Sequence, residues 1–156
     1  MLAYRGTDWL YQFDINPIED DLYEIEEYDG TITEIEHSEY GLGLYFYANI
    51  EETDEYQYSA SASIETDVVD FDLSEFNTDS DSVEGSVYRL LDTHNANDNK
   101  INRARYFKTC IDIVLNTDVK AINVNGTVVV YDLSTIKWET INVNEQVLCV
   151  PYDPFK

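Results

Sequence analysis

Two apolar runs, residues 119–124 and 127–131, stand on either side of Asn125-Gly126. Asn-Gly tolerates the positive φ angles of a two-residue reverse turn, and the twist of that turn suits antiparallel strands, so this stretch predicts a β-hairpin. Just upstream, Ile101, Ala104, Phe107, Ile111 and Leu115 recur at three- and four-residue spacing, with cations on the other side. That periodicity predicts an amphipathic helix over 101–115. A helix beside a hairpin sets the class as α+β, with one or two helices against mostly antiparallel strands.

The rest of the chain reads in short pieces. Residues 2–4 predict a strand cut off at Gly6, and 8–18 a short helix or packed loop ending at Pro17. From 19 to 40, acids alternate with Leu22, Tyr23, Ile25, Tyr28, Ile32 and Ile35 around Asp29-Gly30, predicting a second hairpin with a carboxylate-covered face. Gly41-Leu-Gly43 turns into an aromatic strand at 44–47. Residues 50–60, with Glu51, Glu52 and Asp54 in a first turn, predict a helix. Residues 67–73 alternate as a strand, 74–86 read as a loop and 88–91 as a short apolar turn. Strands are expected at 137–143 and 146–150. No repeat or linker divides the chain, so residues 1–156 are read as a single domain, long enough to bury a core.

Charge divides the chain sharply. No lysine or arginine occurs between Arg5 and Arg89, and that interval holds 24 of the 32 acids. Residues 1–88 sum to −23 (24 acids against Arg5), whereas 89–156 carry 8 acids and 8 bases and sum to zero. So one-sided a field repels nucleic acid and anionic membrane and steers the chain toward basic protein surfaces. The expected partner is therefore a basic, nucleic-acid-binding protein, with no direct nucleic-acid binding and no membrane association. No apolar run reaches spanning length and the first residues lack the apolar stretch of a leader, so a cytoplasmic location, in a host cytosol, is expected. Cys110 and Cys149 lie in apolar runs and read as buried thiols, because no disulfide framework surrounds them.

Several chemistries lack their motifs. No calcium loop, phosphate-binding loop, nucleophile elbow or C-x-x-C occurs, and His37 and His94 are isolated, so no metal site is expected. Paired carboxylates such as Asp20/Asp21 carry no information in so acidic a chain. Gly41-Leu-Gly43 lacks the third glycine of a dinucleotide fingerprint.

One ordered set of landmarks stands out. Tyr4-Arg5-Gly6-Thr7 is followed by Gly41-Leu-Gly-Leu-Tyr45-Phe46, by Tyr56 eleven residues beyond Tyr45, and by Gly126-Thr-Val-Val-Val-Tyr-Asp132-Leu-Ser-Thr-Ile136-Lys137. In order and spacing this resembles the ADP-ribosyltransferase superfamily, compact acidic members of which include phage effectors and ADP-ribosylating anti-CRISPR proteins. The resemblance implies split antiparallel sheets forming a cleft for NAD as substrate. It implies that Arg5 holds the adenosine ribose or phosphates, that Gly6 and Thr7 offer backbone groups to the nicotinamide amide, and that Tyr45 and Tyr56 flank the nicotinamide ring. Such stacking contributes about 0.5–2 kcal/mol per face. The family's late acid steadies the oxocarbenium-like state, which makes it a large electrostatic contributor. Five residues before Asp132 stands Thr127, and Glu145 in Asn144-Glu145 is the second candidate for that role. The implied activity is NAD-dependent ADP-ribosylation of a protein target. A second reading needs no catalysis. Residues 19–39 hold ten acids and no base, the dense charge of a nucleic-acid mimic, since a duplex carries one charge per ~1.7 Å.

Overall fold

The computed structural model describes residues 1–7, 40–56, 58–93 and 100–143. The expected hairpin at Asp29-Gly30, the segment 8–18, the strand at 146–150, both histidines, Cys149 and Glu145 lie outside the described residues.

Among the described residues, seven strands and two helices follow in chain order: β1 (Leu2–Thr7), β2 (Leu44–Tyr47), β3 (Tyr58–Ile64), β4 (Val69–Phe71), α1 (Val83–Thr93), α2 (Lys100–Leu115), β5 (Ala121–Val124), β6 (Thr127–Val130) and β7 (Ile136–Val143). The sheet order is β4-β5-β6-β2-β1-β3-β7. Every neighbouring pair is antiparallel except β4 with β5, which run parallel. The α+β class is as expected. The hairpin turns at Asn125 (φ 49°) and Gly126 (φ 98°), the positive-φ pair that Asn-Gly provides.

Alternation along the strands builds two cores. Ile122, Val124 and Val129 point to the side where α1 and α2 lie and pack with Val87, Leu91, Phe107, Cys110 and Ile111. Phe76 sits within 6 Å of three of the surrounding rings: 5.6 Å from Phe71, 5.1 Å from Tyr88 and 5.9 Å from Phe107. On the opposite side Leu44, Phe46, Ala62, Ile64, Ala121, Val128 and Val130 form the second core, with Trp138 lying 5.6 Å from Phe46. Cys110 is buried in the helix-side core.

Four expectations need correction. The helix expected over 50–60 is a single 3₁₀ turn (Ile50–Thr53), after which β3 begins at Tyr58. Ala60 and Ala62 are fully buried between two long strands, and the pairing of β3 with β1 and β7 overrides the helix propensity of alanine and the acid-rich first turn. The loop and apolar turn read over 74–91 give way to α1, a full helix that runs on to Thr93. Ser82 starts it by accepting a hydrogen bond from Gly85 N at 3.0 Å, a capping role that satisfies one of the free donors of the first turn. Lastly, the expected split sheets are one sheet among the described residues. Gly6 does not end β1 but pairs with Ser59 inside it.

The helix-side core carries most of the packing, so Phe107→Ala should lower stability by about 3–5 kcal/mol through cavity formation. Ile113→Ala, at a side chain 56% exposed, should change it by less than ~0.5 kcal/mol. Urea unfolding of the two variants measures both.

Candidate functional site at the β1–β2 seam

The sheet is joined at its middle by little. β1 matches β3 over six residue pairs, from Leu2↔Ser63 to Thr7↔Tyr58. Among the described residues it meets β2 at one pair only, Tyr4↔Tyr47.

Hydrogen-bond parity shows what is missing. Ile64 N donates to Met1 O at 2.7 Å and the Met1 amino group donates to Ile64 O at 3.2 Å, so these two residues form a hydrogen-bonded pair. In an antiparallel ladder such pairs alternate. Ala3, Arg5 and Thr7 therefore turn their backbone groups toward β3, and Tyr4 and Gly6 turn theirs toward β2. On the facing strand Ala48 N donates to Gly126 O at 2.8 Å. By the same alternation Leu44 and Phe46 serve β6, while Tyr45 and Tyr47 face β1. A continued ladder would join Gly6 N–H to the carbonyl of Tyr45. That carbonyl instead accepts Arg5 Nη1 at 3.0 Å. The guanidinium that the resemblance assigns to ribose or phosphates thus donates to the protein's own backbone.

The face above the seam is tyrosine-rich. Gly6, Tyr4, Tyr45 and Tyr47 share the helix-facing side by register. Tyr56 lies over Gly6 so closely that a Cβ there would fall 2.2 Å from its Cδ2, which makes glycine the one residue that fits. A side-chain hydrogen bond joins Tyr47 to Tyr56. That bond, followed by burial and by the charges of Tyr56, Glu52 and Glu55, pushes the Tyr47 phenol up to about 12. Thr127 opens β6 directly opposite Tyr47, and Thr7 ends β1 opposite Tyr58.

Tyr45 is more deeply committed than a free stacking ring. Its hydroxyl donates to Gly41 O at 2.7 Å and accepts from Tyr40 N at 3.1 Å, and its ring packs on the helix-side core. Tyr131 hydroxyl donates to Tyr40 O, holding the same turn from the other side. The Gly41-Leu-Gly43 turn is thus clasped by two phenols.

The structure therefore brings Arg5 to Tyr45, Gly6 to Tyr56 and Thr127 to Tyr47, with the Tyr47–Tyr56 bond linking the last two pairs. Sequence reading missed Tyr47, although its place two residues beyond Tyr45 puts it on the same strand face. It also missed Glu52 and Glu55, which nothing distinguishes among so many acids.

A second feature is an open hollow of about 460 Å³ lined by Lys108, Lys120, Tyr131, Asp132 and Ser134 among others. Its lysines are already paired: Lys108 with Asp112 at 2.6 Å and with Asp118, and Lys120 with Asp132 at 3.0 Å. Asp132 also accepts from Ser134 N (3.0 Å) and Oγ (2.6 Å), capping a 3₁₀ turn. These bonds, Ser134 first and Lys120 next, lower its carboxyl from 3.8 to about 2. Among the described residues no group of three His, Cys, Asp or Glu is placed to hold a metal, and no helix is long and apolar enough to cross a membrane. Comparison with known protein families, curated proteins and solved structures finds no match.

Two titrations check this electrostatic picture. Tyr56→Phe removes the main cause of the Tyr47 shift, so a phenol titrating near 12 should move toward 10 in the ultraviolet absorbance curve. Because the folded value is raised, the stability linked to it is complete below pH 10 and lost as pH climbs toward 12. Asp132 has the opposite sign. Its depressed value gives stability present above pH 3.8 and lost as pH falls through about 2, so the deficit of Asp132→Asn at neutral pH should shrink steadily over that range in denaturant melts.

Proposed function

We propose that the seam reads a nicotinamide carboxamide, and that the chain is an NAD-dependent ADP-ribosyltransferase-like effector acting on a basic, nucleic-acid-binding protein. The observation that carries this reading is the missing Gly6–Tyr45 rung. It leaves one backbone donor and one acceptor of Gly6 directed into the seam, beneath the ring of Tyr56. A primary carboxamide presents the complementary pair, an acceptor oxygen and a donor nitrogen, on a flat ring that an aromatic face attracts. The landmarks named from the sequence support the same reading, because Arg5, Gly6, Tyr45, Tyr56 and Thr127 gather around this seam.

The reaction would break the bond between nicotinamide and ribose C1. Nicotinamide leaves with the electron pair, a nucleophile of the target protein bonds to C1, and the target's proton passes to solvent. The carboxylate that steadies the cationic ribose is Glu145 in this reading, with the Thr127 hydroxyl beside Tyr47 as the alternative occupant. Arg5 is bonded to Tyr45 and is not assigned to the phosphates here. The field of the acid-rich half brings the basic target, since complementary charge raises encounter rates by about 10–10³-fold.

A non-catalytic reading, in which the acidic surface blocks a nucleic-acid-binding protein as a mimic, is favoured by one observation. Lys108 and Lys120 pair with Asp112, Asp118 and Asp132, and not with the exposed acids Glu51, Glu52, Asp54 and Glu55 of the seam's own flank.

Titration of ¹⁵N-labelled protein separates the two. Nicotinamide at millimolar concentration should move the Gly6 amide resonance, and nicotinic acid, which lacks the donor nitrogen, should not. Purified protein should also release nicotinamide from NAD. If Gly6 responds to neither compound and NAD stays intact, the transferase reading goes and the mimic remains.

A further inference from the structure

We propose that Arg5 is a positioning residue: its guanidinium wedges β1 away from β2 by occupying the Tyr45 carbonyl, and so keeps the backbone groups of Gly6 from being consumed by the sheet. The consequence for ligand binding rests on the carboxamide reading above; the wedge itself does not.

Register argues for it. Tyr4↔Tyr47 pairs normally, so the two strands are already aligned and close at that point. The next hydrogen-bonded rung, two residues along each strand, would need no change of alignment. Its donor is Gly6 N–H and its acceptor Tyr45 O, and the acceptor holds Arg5 Nη1 at 3.0 Å. An ionised donor bonds a carbonyl more strongly than a neutral amide does, and the guanidinium keeps its charge at every accessible pH. The oxygen has two lone pairs, so it is the bulk of the guanidinium bonded there at 3.0 Å that stands in the way of the Gly6 amide. Nor does Tyr56 do the wedging: it covers Gly6 from the face, at the position of a missing Cβ, and not from the edge where β2 lies.

The inference recasts Arg5. A substitution there closes the site and leaves no phosphate contact to be missed. Arg5→Met removes the charged donor while keeping an apolar stem of similar length, and Arg5→Lys keeps the charge without the planar fork.

Amide hydrogen exchange on the full-length ¹⁵N-labelled chain tests it. In the unaltered protein Gly6 N–H should exchange at least about tenfold faster than Tyr4 N–H, which lies in a formed rung. In Arg5→Met the Gly6 amide should become at least about tenfold more protected as the rung closes, with Arg5→Lys in between. Equal protection of Gly6 and Tyr4 in the unaltered protein would overturn the wedge whether or not the variants fold. So would an Arg5→Met protein in which Gly6 exchanges at its original rate or faster. Nicotinamide titrations of the same samples keep the two proposals apart. A closed rung in Arg5→Met with no nicotinamide response in the unaltered protein leaves the wedge and removes the carboxamide site. A nicotinamide response that Arg5→Met leaves unchanged removes the wedge alone.

Discussion

Val128, Val129 and Val130 are each fully removed from water, and the molecule's two cores meet through them. Val129 belongs to the core under the helices; its neighbours belong to the core on the other side. Burial of each such side chain contributes about 1.5–3 kcal/mol, and a strand covered on both faces fixes its own register, because a one-residue slip exchanges the two sets. β2 inherits that register from β6 over four pairs. The turn that Tyr45 clasps and the position of the Tyr45 carbonyl follow from it. The seam is open at one defined rung because the strand on one side of it cannot slide.

How much of this the sequence revealed depends on how local each cause is. The Asn125-Gly126 hairpin and α2 were legible because a dipeptide and a sixteen-residue periodicity state them directly. α1 was hidden behind Ser80, Asp81 and Ser82, which read as loop, although Ser82 followed by Val83, Val87, Leu90 and Leu91 is a capped helical stripe. β3 was misread because alanine and serine have no strand preference of their own; burial of Ala60 and Ala62 between β1 and β7 makes it a strand. The parallel pairing of β4 with β5 depends on two intervening helices and leaves no local trace.

The candidate site divides in the same way. Arg5, Gly6, Tyr45 and Tyr56 were named through the family resemblance of the landmarks, and in the fold Arg5 meets Tyr45 and Gly6 meets Tyr56. Their contacts could not be named. That the arginine bonds a carbonyl, that Tyr45 is tied to a turn by its hydroxyl, and that Tyr47 is the partner of Tyr56 all depend on which backbone groups face which strand. The charge asymmetry was plain from composition, yet it bears on partners and leaves the fold undetermined.

β1 lies inside the sheet, between β2 and β3, although it precedes both in sequence. Its neighbours come from residues 44–47 and 58–64, and β7, which covers β3, joins Thr140 to Ser61 across 79 positions. Closing loops of that span is slow compared with forming hairpins or helices. The hairpin at Asn125 and the helices before it can therefore assemble while the opening strand still waits. Like charges repel, so the 24 carboxylates of residues 1–88 oppose the collapse of that half on itself. The uneven charge thus bears on the order in which the two halves of the chain settle as well as on the surface they end with.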